Sequence, residues 1–316
     1  MKKNKLFVVS SVIIIVLIIA QILLSNKDKI SNDKPTIATS FYPLYYFTSE
    51  IAGNKFNIVN ITPSDTEPHE YEPTPKDITT IENSRLLILN GAELEPWGEN
   101  VLKNINIKSK SVIVSENLAN IKGEGHHHED HDEAEGHEEE HAIDPHIWLS
   151  PVLAQKIVDK ITESVINTDP ANSSYYKMNA ETLKSKLSEL DKQYKKGLAQ
   201  CQSRDIITSH SAFGYMALAY DLKQVSIAGL STEEEPSSKE LAEVAEFAKK
   251  NNVKYIFFES LISPKLSNTI ANEVGAQTLV LNPIEGLTSD QIAQGKDYIS
   301  EMYSNLANLK TALSCK

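Results

Sequence analysis

Three histidines stand apart from the others in this chain, and their side chains are of the kind that binds transition metal ions. His69 lies in the segment EPHEYEPTPKDI, His146 in DPHIWLSP and His210 in TSHSAFGYMA. Each lies where an apolar, strand-like run should end, and in open α/β sheets ligands bind beyond the carboxyl ends of the strands. One histidine in such a place is more often a capping or packing residue. Three in equivalent places predict that the imidazoles meet at one site.

Three imidazoles and one oxygen form a donor set that suits a tetrahedral Zn²⁺ ion. Imidazole is a neutral nitrogen donor of borderline softness, and zinc sites commonly combine it with a carboxylate or water. Asp144, two residues before His146, is placed either to hold that ring in one tautomer or to cap the next turn. The residues leave the fourth donor open between water and several carboxylates near strand ends: Glu67, Glu259, Glu285 and the run Glu233, Glu234 and Glu235.

The other six histidines lie in an acidic run between Glu124 and His141. The run holds nine carboxylates and no Lys or Arg, and its histidines are His126, His127, His128, His131, His137 and His141. Its low complexity and self-repulsion predict a disordered insertion at residues 122–142. Three roles are open for this insertion: weak accessory metal sites that feed the main site, sensing of the metal concentration, or a solvated spacer.

The rest of the chain alternates short apolar runs with longer amphipathic ones. Eight runs predict buried parallel strands: IATSF, FNIVNI, RLLILN, SVIVSE, DIITS, QVSIA, KYIFFE and QTLVLN. The amphipathic segments between them predict helices, so the pattern indicates an α/β fold with right-handed crossovers. The strands fall into two sets of four, which predicts two similar lobes, each with a four-stranded, mostly parallel sheet and flanking helices. One large doubly wound sheet is the alternative.

A long helix is predicted between the two sets of strands. Its apolar face is formed by residues at helical spacing over about five turns: Leu183, Leu187, Leu190, Tyr194 and Leu198. Asp169 fits the N-cap position, with Pro170 as the first helical residue. We therefore expect one rigid helix over residues 169–200, which joins an N-terminal lobe, residues 35–168, to a C-terminal lobe, residues 201–316.

The N-terminus carries a segment long enough to cross a membrane. After three lysines, nineteen residues that begin at Leu6 and end at Leu24 carry no charge, and as a helix they would span about 28 Å. No A-x-A cleavage pattern follows, so we expect an uncleaved anchor and linker over residues 1–34, with an atypical cleaved signal as the alternative. The lysines place the remainder of the chain outside the cytoplasm.

Charge and cysteine content restrict the partners and the compartment. The formal net charge of −12 argues against nucleic acid and favours cations as ligands. Cys201 and Cys315 are the two cysteines, and outside the cytoplasm an even count permits one disulfide. Two free thiols are the alternative.

Five segments of the sequence resemble a known family. EPHEYEPTPKDI, DPHIWLSP, TSHSAFGYMA, STEEEPSSKEL and LNPIEGLT are similar, in this order, to motifs of the zinc-uptake substrate-binding proteins of bacterial ABC transporters. The resemblance covers residues 35–314. It implies two lobes joined by a single long helix, with one metal ion in the cleft between the lobes. The residues at the family's ligand positions are His69, His146, His210 and Glu285.

The resemblance also implies a function. Proteins of this family deliver their metal to a membrane permease driven by a cytoplasmic ATPase, they are not enzymes, and we expect a monomer. Manganese-binding relatives tend to have a carboxylate where His210 stands, so three histidines favour Zn²⁺ over Mn²⁺. The N-terminus departs from the family, whose members usually have a cleaved signal or a lipid-attachment cysteine.

Other functions remain open at this stage. A metal-binding surface adhesin and a manganese carrier are the alternatives within the same family. A zinc hydrolase is disfavoured because the family resemblance points to a carrier, and the HExxH match HEEEH at residues 137–141 lies within the low-complexity acidic run.

Overall fold

Two four-stranded parallel sheets form the frame of the molecule. The computed structural model describes residues 34–104, 110–122, 142–231 and 236–316. The first sheet has the order β2-β1-β3-β4 and the second β6-β5-β7-β8. The strands are β1 (Thr36–Thr39), β2 (Asn57–Asn60), β3 (Leu86–Leu89), β4 (Lys110–Ile113), β5 (Asp205–Thr208), β6 (Lys223–Ser226), β7 (Tyr255–Phe258) and β8 (Gln277–Val280).

The two sheets share one topology, which confirms the prediction of two similar α/β lobes. Every strand pairs in parallel with its neighbours, so the sheets are entirely rather than mostly parallel. The central strands are buried on both faces, as the continuous apolar run LLIL of β3 predicts. The strands of the two lobes have the same order in their sheets, so their carboxyl ends lie at corresponding edges.

Helices cover both sheets and connect the lobes. They are α1 (Tyr42–Ala52), α2 (Pro75–Asn83), α3 (Gly98–Asn104), α4 (Pro151–Thr168), α5 (Ser173–Gly197), α6 (Gly214–Tyr220), α7 (Ser238–Lys250), α8 (Lys265–Val274), α9 (Ser289–Ala293) and α10 (Tyr298–Ala312). Two short 3₁₀ turns, Ile147–Leu149 and Pro170–Asn172, precede α4 and α5 respectively.

The long helix α5 lies between the two sets of strands, as predicted, but it begins later than the sequence suggested. The predicted N-cap Asp169 instead precedes the 3₁₀ turn, and its carboxylate accepts hydrogen bonds from Asn172 Nδ2 and from the Tyr176 hydroxyl. The predicted apolar stripe is buried. It packs on α1 and α4 of the first lobe and on α10 of the second, so one helix shares its core with both lobes.

Hydrogen bonds near the cleft also join the lobes. The indole Nε1 of Trp148 donates to the carbonyl of Pro283 at 2.7 Å, and the Tyr298 hydroxyl donates to the carbonyl of Trp148 at 2.5 Å. All three residues are buried. Trp148 follows His146 by two residues, and Pro283 precedes Glu285 by two, so these bonds hold the backbone of two predicted donors in a fixed relation.

Several sequence features lie at or beyond the limits of the described residues. The predicted anchor between Leu6 and Leu24 and the histidines of the acidic run lie outside them. Within the described ranges, no helix combines the length and the apolar character needed to cross a membrane. Lys122 and Ile143 form an antiparallel bridge that closes the base of the acidic run. A disulfide links Cys201 to Cys315 and so joins the chain after α5 to the segment after α10.

Candidate metal centre

Four side chains from the two lobes converge on one point. One donor atom each from His69, His146, His210 and Glu285 lies within 4.8 Å of the others. The Nε2 atom of His146 is 3.4 Å from Nε2 of His69, 3.3 Å from Nε2 of His210 and 3.0 Å from Oε1 of Glu285. That Oε1 atom is 3.4 Å from Nε2 of His210 and 3.6 Å from Nε2 of His69. The structure thus brings together the four residues that the resemblance implied.

Five of the six donor separations are close to the edges of a tetrahedral zinc site. With zinc–ligand bonds of about 2.0–2.1 Å, two donors of a regular tetrahedron lie about 3.3–3.4 Å apart. The five measured separations run from 3.0 to 3.6 Å. A single ion at the centre would therefore contact all four donors with only small movements of the side chains.

The donors lie in loops that the sheets hold at one edge. His69 is in the loop between β2 and α2, and His210 follows β5 by two residues. Glu285 follows β8, and His146 lies directly before the 3₁₀ turn that leads into α4. Because the strands of each sheet are parallel, their carboxyl ends bring these loops to the same side. Two donors come from each lobe, so closure of the cleft completes the set.

Asp144 orients the ring of His146. Its Oδ1 atom accepts from the backbone N–H of His146 at 2.9 Å and pairs with ring Nδ1 at 2.7 Å. A proton on Nδ1 leaves Nε2 free to bind metal, which is the usual arrangement of a carboxylate behind a ligand histidine. From the other lobe, the Tyr215 hydroxyl donates to the backbone carbonyl of Asp144 at 3.0 Å. A Cβ atom on Gly214 would lie 2.6 Å from Asp144 Oδ2, so this carboxylate fits only against a glycine.

Glu259 does the same for His210 in the second lobe. Its Oε1 atom accepts from the backbone N–H of His210 at 3.2 Å and pairs with ring Nδ1 at 2.8 Å. Both side chains are buried. Glu259 was one of the alternatives for the fourth donor, but its position behind the ring gives it an orienting role. Each lobe therefore contributes one histidine whose tautomer is fixed by a buried carboxylate.

A buried polar group supports the backbone before His146. The Nδ2 atom of Asn90 donates to the carbonyl of Pro145 at 3.0 Å. The Asn90 backbone N–H in turn donates to Oε1 of Glu95 at 2.7 Å, and the Ser40 hydroxyl donates to the same atom. The Glu95 carboxylate thus ties the ends of β1 and β3 to the loop that carries His146.

The electrostatics of the centre favour a charged cluster. Burial lowers the pKa of His210, but the charges of Glu259 and Glu285 outweigh burial and hold this pKa well above its ordinary value. Burial also opposes protonation of His146, but hydrogen bonds with Asp144 and Glu285 raise its pKa. Burial lowers the pKa of His69. The charges of the buried carboxylates thus make the surroundings of His146 and His210 favourable for positive charge.

The carboxylates respond in opposite directions. Burial would raise the pKa of Glu285, but the charge of His210 and hydrogen bonds from the three imidazoles hold it well below the ordinary value. Burial and then the charge of Glu285 raise the pKa of Glu67 to about 10. These interactions favour the ionised form of Glu285, whereas burial favours the neutral form of Glu67.

Buried oxygens around the centre also fit a divalent cation. Glu67, Glu259 and Glu285 each bury one carboxylate oxygen that lacks a hydrogen-bond partner among the described residues. Burial of charged oxygen without a partner is costly unless another charge compensates it. The carboxylates of Glu259 and Glu285 beside three nitrogen donors suit an ion of charge +2.

The structure separates the remaining candidates. Glu67 is buried near His69 but lies outside the four-residue donor cluster. The run from Glu233 to Glu235 and the six histidines of the acidic run fall outside the described residues. Trp148 lies beside His146, with ring centroids 5.2 Å apart. Sequence reasoning missed Tyr215 and Asn90, because polar residues of these types occur throughout the chain.

The family of the chain follows from comparison with known proteins. Residues 37–312 match the family described as "Zinc-uptake complex component A periplasmic". The chain belongs to this family. It is 41% identical over 317 residues to the high-affinity zinc uptake system protein ZnuA of Bacillus subtilis, an alignment that covers 100% of this chain and 99% of the relative. The family consists of solute-binding components of metal uptake rather than enzymes.

Two further relatives extend the comparison. The zinc-binding lipoprotein AdcA of Streptococcus pneumoniae is 40% identical over 90% of this chain, which spans 57% of that longer protein. The crystal structure of the Zn(II)-bound ZnuA-like domain of the same AdcA superposes with a TM-score of 0.74 at 37% identity, and it covers 89% of this chain and 99% of the domain. The two-lobed fold of this family is therefore shown for the chain.

Proposed function

We propose that this chain is the extracytoplasmic zinc-binding component of a bacterial ABC transporter. It binds one Zn²⁺ ion in the cleft between its lobes and delivers it to a membrane permease driven by a cytoplasmic ATPase. The family match and the relatives named for zinc uptake support zinc as the cargo. The observation that carries the proposal is the convergence of His69, His146, His210 and Glu285, whose donor atoms lie within 4.8 Å of one another.

Zinc is favoured over manganese by the donor atoms. Three neutral imidazoles and one carboxylate match the mixed nitrogen and oxygen set of tetrahedral zinc sites, whereas Mn²⁺ prefers oxygen-rich sets of higher coordination number. Four protein donors also leave no open position for a reactive water, which suits a carrier rather than a hydrolase. The bound ion would be held without chemistry until it is transferred.

Capture requires the two lobes to act together. We assign residues 35–168 and 201–316 to the lobes and residues 169–200 to the segment that joins them. Because each lobe supplies two donors, an ion bound to one lobe stabilises the closed arrangement by recruiting the other pair. Docking on the permease then has to separate the donors, since a ligand is released only by a state that binds it less tightly.

The regions beyond the described residues have proposed roles. The segment between Leu6 and Leu24 tethers the protein to the outer face of the cytoplasmic membrane, and the protein acts there as a monomer. The acidic run supplies weak, exchangeable metal sites that feed the cleft. The base of this run lies next to Asp144, whose backbone N–H donates to the carbonyl of Ile121. An ion released from the run would therefore start close to His146.

Metal analysis of the purified protein tests the proposal. We expect one tightly bound zinc per chain in the wild type, and loss of that ion in His210→Ala because three donors and an unpaired Glu259 remain. His131→Ala, which changes a histidine of the acidic run, is the matched control and should keep the tight ion. Equal zinc content in wild type and His210→Ala would overturn the assignment of the cleft.

A second titration addresses the acidic run. Deletion of residues 124–141 should leave the tight site intact and remove the weaker binding events seen by calorimetry. If wild type and deletion variant bind the same number of ions, the run has no part in capture. The adhesin alternative remains a prediction of the sequence, and binding of the purified protein to host matrix proteins is its test.

A further inference from the structure

The loops that carry metal donors from opposite lobes also touch each other away from the donors. Asp65 lies four residues before His69, and Ser289 lies four residues after Glu285. The Asp65 backbone N–H donates to the carbonyl of Leu287 at 3.3 Å, and the Ser289 backbone N–H donates to Oδ1 of Asp65 at 3.0 Å. The Ser289 hydroxyl donates to Oδ2 of Asp65. We call these three hydrogen bonds the Asp65–Ser289 clasp.

The backbone around the clasp is shaped for this contact. Asp65 has φ of +60°, a left-handed conformation that Asp and Asn tolerate better than most residues. On the opposite loop, a Cβ atom on Gly286 would lie 3.5 Å from the carbonyl oxygen of Thr66 and 3.1 Å from Leu261 Cδ1. The absence of a side chain at Gly286 thus lets the two loops approach closely. The hydrogen bonds from Ser289 lower the pKa of Asp65, so the acceptor stays ionised at neutral pH.

The loop of the clasp also carries the most exposed of the four donors. The side chain of His69 is 8% exposed, whereas those of His146 and Glu285 are 0% exposed and that of His210 is 1% exposed. Solvent therefore approaches the centre past His69. Asp65 and Ser289, in the loops of His69 and Glu285, are themselves exposed.

The loop of His69 is anchored at both ends within its own lobe. Thr62 donates its backbone N–H to the carbonyl of Ser40, and the loop ends at the capping box that Thr74 and Asp77 form at the start of α2. Between these anchors the clasp binds the loop to the opposite lobe. Movement of the loop away from the centre must break the clasp.

On the basis of the proposed function, we propose that the Asp65–Ser289 clasp is a gate for metal exchange. An ion enters or leaves only when the clasp opens, so the strength of the clasp sets the rates of both capture and release. The clasp does not touch the four donors, and therefore it changes the affinity less than it changes either rate. A contact that merely positioned His69 would instead slow release of the bound ion without slowing capture.

The proposal is tested by stopped-flow measurement of zinc exchange in the full-length protein. Release is followed by mixing zinc-loaded protein with an excess of a chromogenic chelator, and capture by mixing metal-free protein with zinc. Ser289→Ala removes one donor of the clasp. Asp65→Gly removes both acceptors and keeps a residue that tolerates positive φ. Ser64→Ala, an exposed serine in the same loop, is the matched control.

We expect both clasp variants to release and to capture zinc about threefold to tenfold faster, as loss of exposed hydrogen bonds would allow. The double variant should not exceed Asp65→Gly, because both changes act on one contact. Unchanged rates in both variants, or faster release with unchanged capture, would overturn the gate. If those outcomes are seen while the wild-type protein holds one zinc ion, the gate is wrong but the proposed function stands. If the wild-type protein holds no zinc, both the gate and the proposed function are wrong.

Discussion

Removal of the Glu259 carboxylate behind His210 should weaken zinc binding without removing any of the four proposed ligands. Oε1 of Glu259 accepts from both the backbone N–H and ring Nδ1 of His210. In Glu259→Ala the Nδ1–H loses its buried acceptor, so the ring can turn or change tautomer and Nε2 is no longer fixed toward the donors. Loss of such an orienting partner typically costs about 10- to 100-fold in metal affinity, or about 1.4–2.7 kcal/mol.

The conservative variant separates orientation from charge. In Glu259→Gln the amide oxygen can still accept both hydrogen bonds, but the amide NH₂ takes the place of an oxygen that is buried without a partner. The tautomer of His210 is thereby kept while the negative charge is lost and a buried donor is left unsatisfied. We expect the affinity of Glu259→Gln to lie between those of the wild type and Glu259→Ala.

Competition with a chromogenic chelator of known affinity measures these effects. Glu243→Ala, which changes an exposed glutamate of α7, is the matched control and should bind as tightly as wild type. Thermal unfolding of the metal-free proteins shows whether each variant folds. Wild-type affinity in folded Glu259→Ala and Glu259→Gln would refute the orienting role of Glu259.

Two other outcomes follow from the geometry of the centre. Burial lowers the pKa of His146 and His210, but neighbouring carboxylates raise it, and the net result is a rise. Zinc must therefore displace protons from these imidazoles. Its affinity should decrease as the pH is lowered, and the decrease should begin above the ordinary histidine pKa of about 6.5. Calorimetry in two buffers of different ionisation enthalpy measures the released protons, and equal heats would contradict this. Gly214→Ala places Cβ 2.6 Å from Asp144 Oδ2 and should weaken zinc binding about tenfold by chelator competition, unlike Gly98→Ala, whose Cβ meets only ordinary 3.7 Å contacts.

The fold could be predicted because its signals are local and repeated. Eight short apolar runs alternate with amphipathic ones, and each run corresponds to a parallel strand. The start of the long helix was less predictable. Asp169 and Pro170 form a common N-cap pattern, yet the carboxylate of Asp169 bonds the hydroxyl of Tyr176, and a 3₁₀ turn precedes the helix. The α-helix therefore begins at Ser173 rather than at Pro170.

The site was predictable where partners are close in sequence and less so where they are distant. Asp144 could be assigned to His146 because two residues separate them, whereas 49 residues separate His210 from Glu259. Strand order supplies the missing information. Because β5 and β7 are neighbours in the second sheet, the residues that follow them share one edge, and Glu259 directly follows β7. Strand order thus places Glu259 beside His210, and the remaining step, the pairing of its carboxylate with ring Nδ1, comes from the structure.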